Sequence, residues 1–244
     1  MPILGIETAI MNRGSVAILD NERIILEQYE RQDDYRDRLW PAIVQVFKKA
    51  RLSLEKIEAI AVSQGPGSFT GLRVGITVAK TLALCLEKPL LGIPTLEILL
   101  QGVNDDFALT ESHSATLLVP LLDAKKNLVY TAIFEKENKN FSKIKVERKT
   151  EDLVLTIDEI CRMIKKPAIF FGEGLKVYQS FIQKSLGNLA HFAPEEFFFP
   201  KASVVAQLGK KKLKLKKKDN LYELQPIYLR NPEISLSSQR KKNG

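Results

Sequence analysis

At 244 residues, with 45% hydrophobic and 27% charged side chains, the chain is long enough for one large domain or two small lobes with a proper core. The start, MPILGIET, reads as no signal peptide, no run approaches the ~18 apolar residues of a membrane span, and the two cysteines, Cys85 and Cys161, stand alone; a cytoplasmic protein with no structural disulfide is expected. The net charge of +8 is uneven, because residues 1–200 are net −1 while residues 201–244 hold 12 Lys/Arg against 3 Asp/Glu.

In chain order, apolar runs and turn residues predict strands at Ile3–Thr8, Gly14–Asp20 and Arg23–Gln28. A helix from about Tyr35 to Ala50, a strand at Ala59–Val62 and a helix from Thr70 to Glu87 follow. Leu90–Ile93 predicts a short strand, and the next helix is expected to end at Gly102. Beyond the polar stretch NDDFALTESHS, strands are predicted at Ala115–Leu121, Leu128–Glu135 and near Ser142–Arg148. A helix near Ile157–Ile164, a strand at Ala168–Phe171 and a helix at Leu175–Leu186 complete the second series. Both halves read βββαβα without a residue-level repeat. That order matches the two-lobed actin, sugar-kinase and Hsp70 (ASKHA) architecture, an α/β fold of two RNase H-like units with nucleotide between them. The expected division is a first lobe at 1–104, a second at 105–200, and a remainder at 201–244. In the remainder, a helix at Lys201–Lys212 returns to the first lobe, and QPIYLRNP is extended.

The most informative segment is SQGPGSFTGLRVG, Ser63–Gly75, a glycine-rich turn between a strand and a helix. Such a turn aims backbone N–H groups and a helix dipole at an anion. Gly65 and Gly67 allow backbone angles closed to other residues, Pro66 stiffens the turn, and Ser68 or Thr70 caps the helix. With Gly71 in the first turn and Arg73 adding charge, Gly65, Gly67, Ser68, Thr70, Gly71 and Arg73 form a candidate nucleotide or anion site. Glu7, at the end of the first strand, is its candidate carboxylate. The turn holds no lysine for a Walker loop, and Gly71 falls one residue too late for the dinucleotide fingerprint. A turn that simply caps a buried helix is the plainer reading, and anion binding stays open beside it.

The Thr70–Glu87 helix has two apolar faces, one with Leu72, Ile76, Ala79, Ala83 and Leu86, the other with Val74, Val78, Leu82 and Cys85. Gly71, Gly75, Ala79 and Ala83 recur every four residues, a seam where another helix could come close. In the preceding helix, Leu39, Ile43, Val46 and Ala50 are flanked by Trp40, Val44 and Phe47. This is more apolar surface than one small lobe needs. Trp40, Ile43, Val44, Phe47, Gly71, Val74, Gly75, Val78, Ala79 and Leu82 are therefore the candidate subunit interface, assembled as a helical bundle. The alternative is that the C-terminal helix covers them within one chain.

GPGSFTGLRVG and the repeated order, with LGIETA, GSVAIL, IPTLEIL, PLLDAKKNLVYTAIF, FFGEGLKVY and QPIYLRNP, resemble the TsaB family across most of the chain. The resemblance implies a dimerisation subunit of the bacterial tRNA threonylcarbamoyladenosine machinery. Such a subunit binds the catalytic paralogue TsaD through its first two helices, and an ATPase, TsaE, joins the complex. The assembly modifies the adenosine beside the anticodon, so tRNA is engaged indirectly; a homodimer is a further pairing to consider. The resemblance implies no cofactor for this chain, with ATP or ADP and Mg²⁺ possible in the assembled complex. Where relatives carry Ile-Asp-Thr, this chain has Ile6, Glu7 and Thr8, and the longer side chain displaces the carboxylate.

No catalytic residue or metal ligand is assigned. His113 and His191 are the only histidines and lie far apart, so neither a His-x-x-x-His pair nor a His-Glu-x-x-His helix exists. Asp123 reads as an ion-paired turn residue, and Gly172 and Gly174 as a second glycine turn. The alternatives are an ATP-dependent phosphotransferase of the same fold, using Glu7 and the Gly65–Arg73 turn, and a glycoprotease-type metallopeptidase. The run Lys210–Lys218 reads first as solvated surface; its functional reading is a salt-sensitive contact to RNA phosphates or to an acidic partner.

Overall fold

The computed structural model describes residues 1–30, 36–106, 116–138 and 144–230. The expected element starts at Tyr35, Ala115 and Ser142 lie outside these residues, as do His113 and Arg240–Lys242. The first sheet contains β1 (Ile3–Glu7), β2 (Arg13–Asp20), β3 (Arg23–Glu30), β4 (Ala59–Gly65) and β5 (Leu90–Pro94). Its order is β3-β2-β1-β4-β5; β1, β2 and β3 form an antiparallel meander, and β4 and β5 add parallel to β1. α1 (Arg36–Ala50) and α2 (Phe69–Leu86) cover one face. Their helical repeat sets Leu39, Ile43, Val46, Ile76, Ala79 and Leu82 against Leu4, Ile6, Ile60 and Val62.

The second sheet repeats the pattern with β6 (Leu117–Lys125), β7 (Leu128–Thr131), β8 (Phe134–Asn138), β9 (Ile144–Arg148), β10 (Leu153–Thr156), β11 (Ala168–Phe171) and β12 (Ala190–Phe192). Its order is β10-β7-β6-β11-β12, with β8 paired to β6 and β9 to β8. α3 (Thr95–Asp106) precedes this sheet in sequence, and α4 (Ile157–Met163) and α5 (Leu175–Leu186) pack on one of its faces. The strand expected at Leu128–Glu135 is broken at Ala132–Ile133, where Ile133 N–H donates to Thr150 Oγ1 rather than to a strand. That break lets β7 and β8 pair with different stretches of β6, and with β10 and β9 respectively on their other edges. β10 and β12 are strands that periodicity did not predict. α3 also runs past Gly102, because a helix tolerates one glycine when its neighbours remain paired.

α3 lies between the lobes. Its Ile98 joins the core on the far face of the first sheet, while Leu96, Leu99 and Val103 pack with Leu118, Phe134, Ile169 and Phe171 of the second. α6 (Ala202–Lys214) lies across β1, β2 and β4 on that same far face. It approaches closely because the strands present small residues. A Cβ built on Gly5 would sit 2.2 Å from the Ala202 carbonyl oxygen, and one on Gly209 would sit 2.6 Å from Ala61. Among the described residues, α2 is the one helix long and apolar enough to cross a membrane. Its Leu72–Ile76–Ala79–Ala83 face is instead buried on the sheet.

Candidate functional site

The glycine-rich turn is built around contacts inside the chain. Gly65 has φ +112°, and a Cβ there would meet the Ile227 carbonyl oxygen at 2.7 Å. Gly67 lies against Ala9, whose carbonyl oxygen would be 2.4 Å from an added Cβ. Ser68 is the N-cap of α2: its Oγ accepts from Gly71 N–H at 3.3 Å, and its own N–H donates to Ala9 O at 2.6 Å. The turn thus satisfies several of its own donors. Thr70 does not cap. Arg73, expected to lend charge to the turn, lies over the Phe69 ring at 3.9 Å and donates its Nε–H to Tyr228 Oη at 3.0 Å.

The candidate anion residues divide between two cavities and the core. Gly67, Ser68 and Thr70 line an inter-lobe cleft of about 520 Å³, faced across the gap by Asp123, Lys125 and Glu173. Glu7 lines an adjoining cavity of about 470 Å³ with Arg13 and Lys201, which shares Ile10 with the cleft. Gly71 is buried, and Gly65 and Arg73 are outside the walls of both cavities. Glu7 and the turn thus line neighbouring cavities, and Glu173 of the inter-lobe cleft acts electrostatically on the Glu7 carboxyl.

Glu7 is 1% exposed, and burial pushes its carboxyl up to about 8; Ala9 N–H donates to its Oε1 at 2.6 Å, and the Ser63 hydroxyl is a further partner. At neutral pH it is a neutral acid held in a hydrogen-bonded frame. In the inter-lobe cleft, Asp123 accepts from both the Lys125 N–H and its Nζ, at 2.8 and 2.6 Å. Burial raises the Glu173 carboxyl, and the nearby Asp123 charge adds to that shift. Among the described residues, no group of three or more His, Cys, Asp or Glu side chains is arranged to hold a metal. His191 sits on β12, beside Ile169 of β11.

The structure also sorts the candidate interface residues. Trp40 is 49% exposed, Val44 37% and Leu84 56%, with Cys85 exposed beside them. Val74 and Val78 are half-buried at the edge of the first-lobe core, so α1 and α2 together present an apolar outer strip. Ile43, Phe47, Gly71, Gly75, Ala79 and Leu82 are corrected from surface to core. The small-residue seam faces inward, where a Cβ on Gly75 would meet Thr8 Oγ1 at 2.1 Å. The C-terminal helix does not seal the outer strip, because α6 lies on the opposite face of the sheet.

Sequence reasoning missed the strap that follows α6. Asp219 N–H donates to Leu90 O, Ile227 N–H to Gln64 O, and the Gln64 side chain to Gln225 O. Arg230 Nη1 then crosses to the Ala124 carbonyl of the second lobe at 2.7 Å. The only signal in the sequence was the motif QPIYLRNP, which carries no periodicity.

Comparison with known proteins adds the family. Residues 28–237 match the family model described as TsaD: tRNA N6-adenosine threonylcarbamoyltransferase. A tRNA threonylcarbamoyladenosine biosynthesis protein TsaB from Bacillus subtilis is 28% identical over 96% of each chain. One from Buchnera aphidicola subsp. Schizaphis graminum is 30% identical over 71% of this chain and 79% of its own. The chain belongs to the TsaB family. Among solved structures, a Pseudomonas aeruginosa protein with similarity to peptidase YeaZ superposes with a TM-score of 0.74 at 22% identity, covering 94% of this chain and 99% of its own. An Arthrobacter inorganic polyphosphate/ATP-glucomannokinase superposes at 0.50, with 11% identity and 87% and 99% coverage. The fold is the two-lobed sugar-kinase type, and the TsaB members are named for tRNA threonylcarbamoyladenosine biosynthesis.

Proposed function

We propose that this chain is a non-catalytic subunit of tRNA threonylcarbamoyladenosine biosynthesis, which pairs with a TsaD-type catalytic paralogue through α1 and α2 and activates it. The observation that carries the reading is the set of apolar side chains Trp40, Val44 and Leu84, exposed among the described residues, with Val74 and Val78 half-buried beside the core. Exposed apolar side chains on two helices of one sheet face favour association with a partner that covers them. The assembly then includes a TsaE-type ATPase, with tRNA engaged by the whole complex and nucleotide with Mg²⁺ held there rather than required by this chain. Glu7 supports the non-catalytic reading, since a buried acid that burial holds neutral is a poor ligand for a metal–nucleotide.

The test is co-purification with the paralogue, read by size-exclusion chromatography with light scattering. The wild-type chain is expected to elute as a heterodimer. Val44→Asp combined with Trp40→Asp is expected to abolish pairing with the unfolding midpoint unchanged, since both side chains are exposed. Normal pairing by that variant overturns the reading. A wild-type chain that pairs only with itself replaces it with a homodimer.

A further inference from the structure

The lysine-rich run is not a loose tail. Lys210 and Lys212 are structural: Lys210 Nζ reaches Asn21 O at 2.7 Å and Glu22 at 3.1 Å, and Lys212 Nζ grips Asp219 at 2.7 Å. The backbone between them and the strap is also held. Lys216, in the left-handed region at φ +56°, donates its N–H to Leu213 O, and Lys217 N–H donates to Lys212 O. Asp219 closes the turn, its carboxylate accepting Gly92 N–H at 2.7 Å.

From this fixed turn Lys214, Lys216, Lys217 and Lys218 point outward. All four are exposed, and none has an ion-pair or hydrogen-bond partner among the described residues. Exposed cations held in one place by their backbone gain more from a polyanion than the same charges on a floating tail, because less ordering is required on binding. A long strip of repeating negative charge fits this turn better than a single carboxylate, which would engage one lysine at a time. The apolar side chains exposed nearby in sequence, Leu215 and Tyr222, are too few to anchor the turn in a bilayer.

We infer that the turn at Lys214–Lys218 is a contact for the phosphate backbone of RNA, and within the function proposed above, for the backbone of the tRNA being modified. The inference rests on that function. The contact reads charge and not sequence, so it contributes affinity and orientation without selecting a base.

The experiment uses the full chain with its TsaD-type paralogue and a fluorescent, unmodified tRNA transcript, titrated by anisotropy over a series of salt concentrations. The variant replaces Lys214, Lys216, Lys217 and Lys218 each with Gln. It is expected to keep the paralogue and the wild-type unfolding midpoint, to bind tRNA about tenfold or more weakly, and to lose roughly 3 from the log–log salt slope. Lys210→Gln, which removes a structural lysine, is expected to leave the slope unchanged. An unchanged affinity and slope in the fourfold variant overturns the inference. So does binding by the wild-type chain to phosphatidylserine-containing vesicles and not to tRNA. Failure of the wild-type chain to hold the paralogue overturns the function itself, and the co-purification arm reports that separately.

Discussion

A carboxyl group as deeply buried as that of Glu7 keeps its proton through neutral pH, and this links its chemistry to the stability of the fold. Its value in the folded chain is raised to about 8 from 4.5, so between those two values the folded state holds a proton that the unfolded state has released. The contribution of Glu7 is full below about pH 4.5 and is lost as pH rises towards 8. Glu7→Gln keeps an acceptor for Ala9 N–H and removes the titration. The variant is expected to gain stability relative to wild type by up to about 1.4 kcal/mol per pH unit across that window. Urea denaturation at pH 5, 6.5 and 8 reads the difference directly. Gly75 gives a second residue-scale expectation: because Thr8 fills the space beside it, Gly75→Ala is expected to cost roughly 1–3 kcal/mol in the isolated chain. A thermal melt without any partner distinguishes that packing cost from a lost interface.

At the scale of elements, the regular parts of this fold were written plainly in hydrophobic period. The Leu39–Ile43–Val46 spacing of α1 and the long pattern of α2 lie within a residue of their expected bounds, and β4 starts where expected but continues three residues further, to Gly65. What was not legible depends on partners distant in sequence. The break at Ile133 requires Thr150 as its acceptor, and β12 is a three-residue strand whose identity comes from pairing with β11. The candidate site was half legible for the same reason. Ser68 as cap follows from its position, but the turning of Arg73 towards Tyr228 depends on a segment 155 residues away. The strap makes its own prediction. Asp219 joins Lys212, Gly92 N–H and the edge of β5, so Asp219→Ala is expected to lower stability by about 2 kcal/mol through the partners left unpaired. Hydrogen exchange should quicken at Gly92 ahead of the rest of β5.

For the whole molecule, the two lobes are joined by an apolar seam and by the strap. Leu99 on α3 is buried among second-sheet residues, so Leu99→Ala is expected to cost about 2–5 kcal/mol, read as a lower urea midpoint. Arg230→Ala is a milder cut. It removes the Arg230 hydrogen bonds to the Ala124 and Lys125 carbonyls and is expected to speed exchange in the turn around Ala124, with stability falling by about 1 kcal/mol.

The return of α6 to the first lobe also sets an order of events at the ribosome. Until residues 202–214 have been synthesised, Ile3, Ala59, Ala61 and Leu91 have no side chains from Val204, Val205 or Ala206 to rest against. A nascent chain halted after the second lobe would therefore display a greasy sheet back with only α3 to shield part of it. The earliest-made strands must wait for nearly the last-made helix before they are safe from neighbours, and a stop codon just ahead of Ala202 is expected to yield insoluble protein rather than a shorter soluble one.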